Sequence, residues 1–161
     1  MGEQPQLISA DIEENILLGD EGNALKYLRA VRMEEETAKM PEGIHTLVGN
    51  GGVRLSGGQQ ARIALARTLC HRKPVMILDD PFSAVDTETE KEIMKNLREL
   101  ARDSIVLLLT HRLALFSELN QVLWMSDGRV TVSCHEELMR TNADYAALYL
   151  MQEKGGGHHE A

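Results

Sequence analysis

Apolar residues recur at helical spacing through Ala61, Leu65 and Leu69, directly behind Leu55-Ser56-Gly57-Gly58-Gln59, and predict a helix over residues 60–69. A second helical pattern follows Asp86. From Thr87 onward Ile93, Leu97, Leu100 and Ala101 fall on one face, with acids early and basic residues later. Two unbroken apolar runs are of a different kind. Residues 75–78 (V-M-I-L) and 104–110 (S-I-V-L-L-L-T) predict strands of a parallel sheet, the first buried. Upstream, Ala24, Leu25, Leu28 and Val31 mark helices within residues 21–40, and Glu34-Glu35-Glu36 predicts a solvated face. Residues 40–43 form a turn and residues 46–53 a glycine-rich loop. Downstream come a short helix near residues 113–119, strands at 121–125 and 129–133 joined by an Asp127-Gly128 hairpin turn, and helices at 136–139 and 144–152. Trp124 and the tyrosines fit core packing. Helices alternating with strands give an α/β fold.

Polar residues at the ends of these elements carry the chemistry. Gly57 and Gly58 stand at a helix N-terminus, where unpaired N–H groups, the positive end of the helix dipole and the Ser56 hydroxyl suit a phosphate oxygen. A serine N-cap followed by flexible glycines is the plainer reading. Asp79-Asp80 closes the strand at 75–78, where open α/β sheets bind ligands. One carboxylate there can hold Mg²⁺ through water and the other can orient or deprotonate a water, although two acids before Pro81 also serve as turn chemistry. His111 follows the second apolar strand as a phosphate contact or as a capping residue.

In order and spacing these residues resemble the nucleotide-binding domain of an ABC transporter, most closely the exporter type, over about residues 3–152. L-S-G-G-Q is similar to the family signature, V-M-I-L-D-D to Walker B, Ser83-Ala84-Val85-Asp86 to the D-loop, and His111 to the switch histidine. The resemblance implies a partial P-loop NTPase (RecA-like) fold with a parallel-sheet core and an α-helical signature subdomain. Residues 1–73 would hold the Q-loop segment and that subdomain, residues 74–152 the second half of the ATPase core, and residues 153–161 a flexible tail. It further implies ATP and Mg²⁺ as cofactors. Ser56, Gly57, Gly58, Gln59 and Asp86 would bind nucleotide, Asp79 the metal, and Asp80 and His111 would be catalytic. Glu3-Gln4-Pro5 resembles the Q-loop, with Glu3 in the slot of the usual metal-contacting glutamine and Gln4 beside it. Both are therefore carried, Glu3 toward metal and Gln4 toward nucleotide.

The resemblance has gaps. A P-loop requires G-x-x-x-x-G-K-[ST], and the sequence contains no Gly-Lys pair. The resemblance places the P-loop strand beside residues 104–110, leaving that strand's edge unpaired here. The residue after the Walker B aspartate is usually glutamate, and Asp80 is one methylene shorter. In the family two domains meet head to tail around ATP, so the chain's signature would complete a site on a P-loop-bearing partner, in a homo- or heterodimer. Its own site would be empty or weak. The implied setting is the cytoplasmic side of a membrane, reached through the transmembrane domains of an exporter. A net charge of −8 argues against a nucleic-acid surface, and Cys70 and Cys134 form no disulfide or metal pattern. Two other readings remain: a non-catalytic module lending its signature to a partner ATPase, and a soluble ABC ATPase of chromosome maintenance or translation. D-I-E-E-N-I and H-E-E-L, which are exporter-like, and the lack of heptads or a basic patch count against the last.

Overall fold

A computed structural model of the chain describes residues 1–2 and 6–155. Glu3, Gln4 and Pro5, and residues 156–161 of the expected tail, lie outside the described residues. The chain divides into two units, Met1–Thr110 and His111–Ala161.

The first unit opens with β1 (Ala10–Asp11) and α1 (Ile12–Leu17), continues through α2 (Ala24–Ala30), α3 (Glu34–Ala38), a 3₁₀ turn at Gly43–His45 and β2 (Leu47–Val48), and reaches α4 (Gly57–Cys70). Then come β3 (Val75–Asp79), α5 (Thr87–Leu100) and β4 (Ile105–Leu109). Helix α1 forms in an acidic stretch because the Asp11 carboxylate accepts the Glu14 N–H at 2.7 Å and caps it, while Ile12 and Ile16 are fully buried. Helix α4 packs on α1 and α2. It buries Ala61, Ile63, Ala64, Leu65, Ala66 and Leu69, most of its circumference, as a helix in the middle of a subdomain must. β1 and β2 form a two-residue antiparallel ladder, Ala10 opposite Val48 and Asp11 opposite Leu47.

β3 and β4 pair in parallel from Val75 opposite Ile105 to Asp79 opposite Leu109. Met1 lies along the other edge of β3, its ammonium donating to the Ile77 carbonyl at 2.8 Å and its carbonyl accepting the Asp79 N–H at 3.0 Å. The sequence pattern predicts β3 as a buried strand, and this holds for one face only. Met76 and Leu78 are 4% and 0% exposed, whereas Val75 and Ile77 are 51% and 53% exposed, level with Ile105 and Leu109. Continuous apolarity marks a strand meant to be covered on both sides. Here one side of the pair is bare.

The second unit comprises a 3₁₀ segment at Leu113–Glu118, β5 (Val122–Ser126), β6 (Arg129–Ser133), α6 (His135–Thr141) and α7 (Ala143–Gly155). Helix α7 therefore runs past Gln152, where the pattern ends it. Asp127 and Gly128 take φ of 50° and 72°, the two left-handed positions of the tight turn joining β5 to β6. Val122, Leu138 and Tyr145 form the core, with Phe116, Trp124 and Met139 packed on it. The Tyr145 hydroxyl lies 2.7 Å from His135 Nδ1, and burial, with Tyr149 and Glu136 adding, pushes its pKa up to about 12. No helix among the described residues is long and apolar enough to cross a membrane.

Candidate functional site

The N-terminus of α4 is held by a reciprocal cap. Ser56 Oγ accepts the Gln59 N–H at 3.2 Å and Gln59 Oε1 accepts the Ser56 N–H at 2.9 Å, an arrangement worth about 1 kcal/mol. These bonds leave the amides of Gly57 and Gly58 without a partner among the described residues, as expected for the first turn of a helix. Ser56 and Gly57 are exposed and Gly58 is buried. The turn at residues 83–86 explains that difference, because a Cβ at Gly58 would strike the Ala84 carbonyl oxygen. Residues 56–59 and the 83–86 turn are thus in direct contact.

Gln59 is fixed a second time. Its Nε2 donates to Glu36 Oε2 at 2.9 Å, and Glu36 Oε1 lies 2.7 Å from an Arg62 guanidinium nitrogen. Arg62 also donates to the Arg32 carbonyl at 2.8 Å. The expectation that residues 34–36 form a solvated face is therefore corrected for Glu36, whose carboxylate links α3 to α4. Nothing in the local pattern marks it, since its partners lie on another helix.

Asp79 ends β3, half-buried, and Asp80 follows in a left-handed conformation with φ 41°. Its N–H donates to the Leu109 carbonyl at 2.8 Å, extending the parallel ladder by one bond, and Thr110 Oγ1 donates to its carboxylate at 3.5 Å. Aspartate tolerates this backbone better than longer side chains do. Asp86 caps α5, its carboxylate accepting the Thr89 N–H at 2.9 Å, and that bond holds its pKa below the ordinary 3.8. Because the folded pKa is depressed, the cap's contribution is present above about pH 4 and disappears as pH falls through the folded value. Asp86→Ala should cost about 1 kcal/mol at neutral pH, with the difference from the parent shrinking below pH 4 in urea titrations.

His111 belongs to the second unit, exposed, with its carbonyl accepting a bond from Gln152 Nε2 at 2.6 Å. The structure thus groups Ser56, Gly57, Gly58 and Gln59 with the 83–86 turn, sets Asp79 and Asp80 at the strand end that leads into that turn, and holds His111 in its own unit. Among the described residues no three His, Cys, Asp or Glu side chains converge as a metal cage.

A parallel strand pair ending in two aspartates, with a capped glycine helix beside the turn that follows, is an α/β arrangement of the nucleotide-binding class. The chain belongs to the ABC transporter family, whose sequence profile matches residues 2–83. It is 44% identical over 115 residues to the ATP-dependent lipid A-core flippase of Pectobacterium atrosepticum, covering 71% of this chain and 20% of that protein. To the probable multidrug resistance ABC transporter ATP-binding/permease protein YheI of Bacillus subtilis it is 37% identical over 152 residues, 91% of this chain and 25% of the other. The fold superposes on a bacterial Atm1-family ABC exporter solved with ATP bound, at a TM-score of 0.84 and 28% identity, covering 94% of this chain and 27% of that one. The chain thus spans about a fifth to a quarter of the length of the relatives it matches.

Proposed function

We propose that this chain is part of the ATP-binding domain of an ABC exporter, coupling Mg-ATP binding and hydrolysis to transport across a membrane. In this reading its signature completes an ATP site whose P-loop lies on a partner. The observation that carries the reading is the exposed Gly57, its amide without a partner among the described residues, at the capped end of α4 beside a Gly58 pressed against Ala84. Ser56, Gly57, Gly58 and Gln59 would bind phosphate oxygens of the partner's nucleotide, and Asp86 would sit at the junction. Asp79 would hold Mg²⁺, and Asp80 would accept a proton from water. Mg-ATP supplies the phosphoanhydride whose cleavage drives the cycle. Asp80 falls short of the family's glutamate, and misplacing a catalytic group by about 1 Å costs on the order of 10²-fold. Together with the missing Gly-Lys, this makes the chain's own site weak. The bare apolar face of β3 and β4 fits a half-core that packs against the segment bearing a P-loop strand. His111 would contact the terminal phosphate. Glu3 and Gln4 would serve the Q-loop, and the domain would sit on the cytoplasmic face beneath transmembrane partners.

The isolated 161-residue chain is expected to hydrolyse ATP negligibly, and to support turnover when mixed with a P-loop-bearing nucleotide-binding domain. Ser56→Arg, which fills the phosphate position with a long side chain, should abolish that support while the fold persists by circular dichroism. Robust turnover by the chain alone, lost on Asp79→Ala, would contradict the division of labour. Support that survives Asp79→Ala and Asp80→Ala but not Ser56→Arg would favour a non-catalytic module that lends only its signature.

A further inference from the structure

Gln152 belongs to none of the motifs above, yet it holds the segment that carries His111. Its Nε2 donates to the His111 carbonyl at 2.6 Å, and its Oε1 accepts the Leu113 N–H at 3.0 Å. The orientation of this carboxamide is dictated by its partners. A flip would set NH₂ against N–H and oxygen against oxygen.

The two bonds straddle Arg112, an extended residue with φ −91° and ψ 107° that precedes the 3₁₀ segment and offers it no side-chain cap. Gln152 supplies that cap from 39 residues away. It can do so because the far end of α7 is anchored. Tyr145 is fully buried, Tyr149 lies 4.6 Å ring to ring from His135, and residues 145, 149 and 152 share one helical face. The packed core of the second unit thus reaches His111 along two turns of helix and one carboxamide.

We propose that Gln152 is a positioning residue for His111, fixing the backbone on both sides of Arg112 so that the histidine leaves the chain in one direction. This rests on the reading of His111 as a phosphate contact. An exposed histidine on a loop has backbone freedom that two bonds from a helix remove, and a contact aimed at a reacting group needs its geometry held by the surrounding structure.

Two substitutions separate the bonds. Gln152→Leu removes both. Gln152→Glu keeps an acceptor for the Leu113 N–H and turns a carboxylate oxygen on the His111 carbonyl. By ¹H–¹⁵N NMR of the 161-residue chain, Gln152→Leu should raise the exchange rate of the Leu113 amide about fivefold, and Gln152→Glu should leave that rate near the parent's while shifting the His111 resonances. In ATP turnover restored by the segment proposed to pack a P-loop strand on β3 and β4, so that the chain's own site is the one read, both variants should lower kcat on the order of tenfold with KM within about twofold. Should Gln152→Leu fold poorly, Gln152→Glu carries the test. The proposal is overturned if Leu113 exchange ignores Gln152→Leu. It is also overturned if kcat ignores Gln152→Glu while His111→Ala abolishes turnover. Turnover that survives His111→Ala would instead remove the underlying phosphate contact, and the proposal with it.

Discussion

Gly58→Ala is expected to destabilise the chain by about 3 kcal/mol and to abolish the support of a partner's ATP turnover proposed for it. The added Cβ has nowhere to go. It meets the Ala84 carbonyl oxygen, a backbone atom in a turn held by the Val85 N–H donating to the Phe82 carbonyl at 3.0 Å, and Phe82 is itself fully buried. Relief requires α4 and the 83–86 turn to part, which undoes the packing of Gly58 on Ala84. Gly57 is the internal control. Its nearest neighbour to a new Cβ is the Ala84 methyl at 3.9 Å, an ordinary contact, so Gly57→Ala should change stability by less than about 1 kcal/mol and affect only the space before the amides. Urea midpoints of the two variants, read beside turnover with a P-loop-bearing domain, check the contrast. Gly58→Ala within about 0.5 kcal/mol of the parent would show that the contact with Ala84 yields freely.

The contrast between neighbouring glycines also marks where the sequence stops being informative. Helix α4, the β3–β4 pair, α5 and the β5–β6 hairpin follow from apolar spacing and turn chemistry, because each is decided within its own length. The motif residues stand out because their order and spacing resemble those of the family. Other features depend on partners far away in the chain. Glu36 reads as one of three solvated acids until α4 brings Gln59 and Arg62 to it. The short ladder between β1 and β2 joins Ala10 to Val48 and has no periodicity of its own. The apolar run of β3 announces burial on two faces, and nothing local tells that one is left bare. In the same way Gln152 is an unremarkable polar residue of a terminal helix until the fold sets it against His111.

Asn15 is the strongest case of a residue whose weight comes from distant partners, and Asn15→Ala is expected to cost about 3 kcal/mol or more. The side chain is fully buried among carbonyls. Its Oδ1 accepts the Ile8 N–H at 2.9 Å and an Arg67 N–H at 2.7 Å, while its Nδ2 donates among the carbonyls of Asp11 at 2.9 Å, Ile8 at 3.1 Å and Ala10 at 3.3 Å. Arg67 donates further to the Asn15 carbonyl at 2.6 Å and to the Gln6 carbonyl at 3.0 Å, and burial lowers its pKa. Truncating Asn15 strands the Ile8 N–H and one arm of a half-buried guanidinium, while the Ile8 carbonyl keeps the Ala10 N–H at 2.9 Å, and each buried polar group so stranded costs about 1–3 kcal/mol. Asn15→Asp would keep the acceptor for Arg67 but turn its other oxygen on three carbonyls, so it should recover only part of the loss. Arg67→Met keeps the apolar stem and removes the donors. A double-mutant cycle between Asn15→Ala and Arg67→Met should return a coupling of about 1–3 kcal/mol by urea denaturation. Because this network ties residues 6–15 to the helix that begins at Gly57, the same substitutions should loosen the exporter-like D-I-E-E-N-I segment from α4, seen as faster amide exchange at Ile8. Additive costs and an unchanged Ile8 amide would mean that the two segments are held together by apolar packing of Ile12 and Ile16 alone.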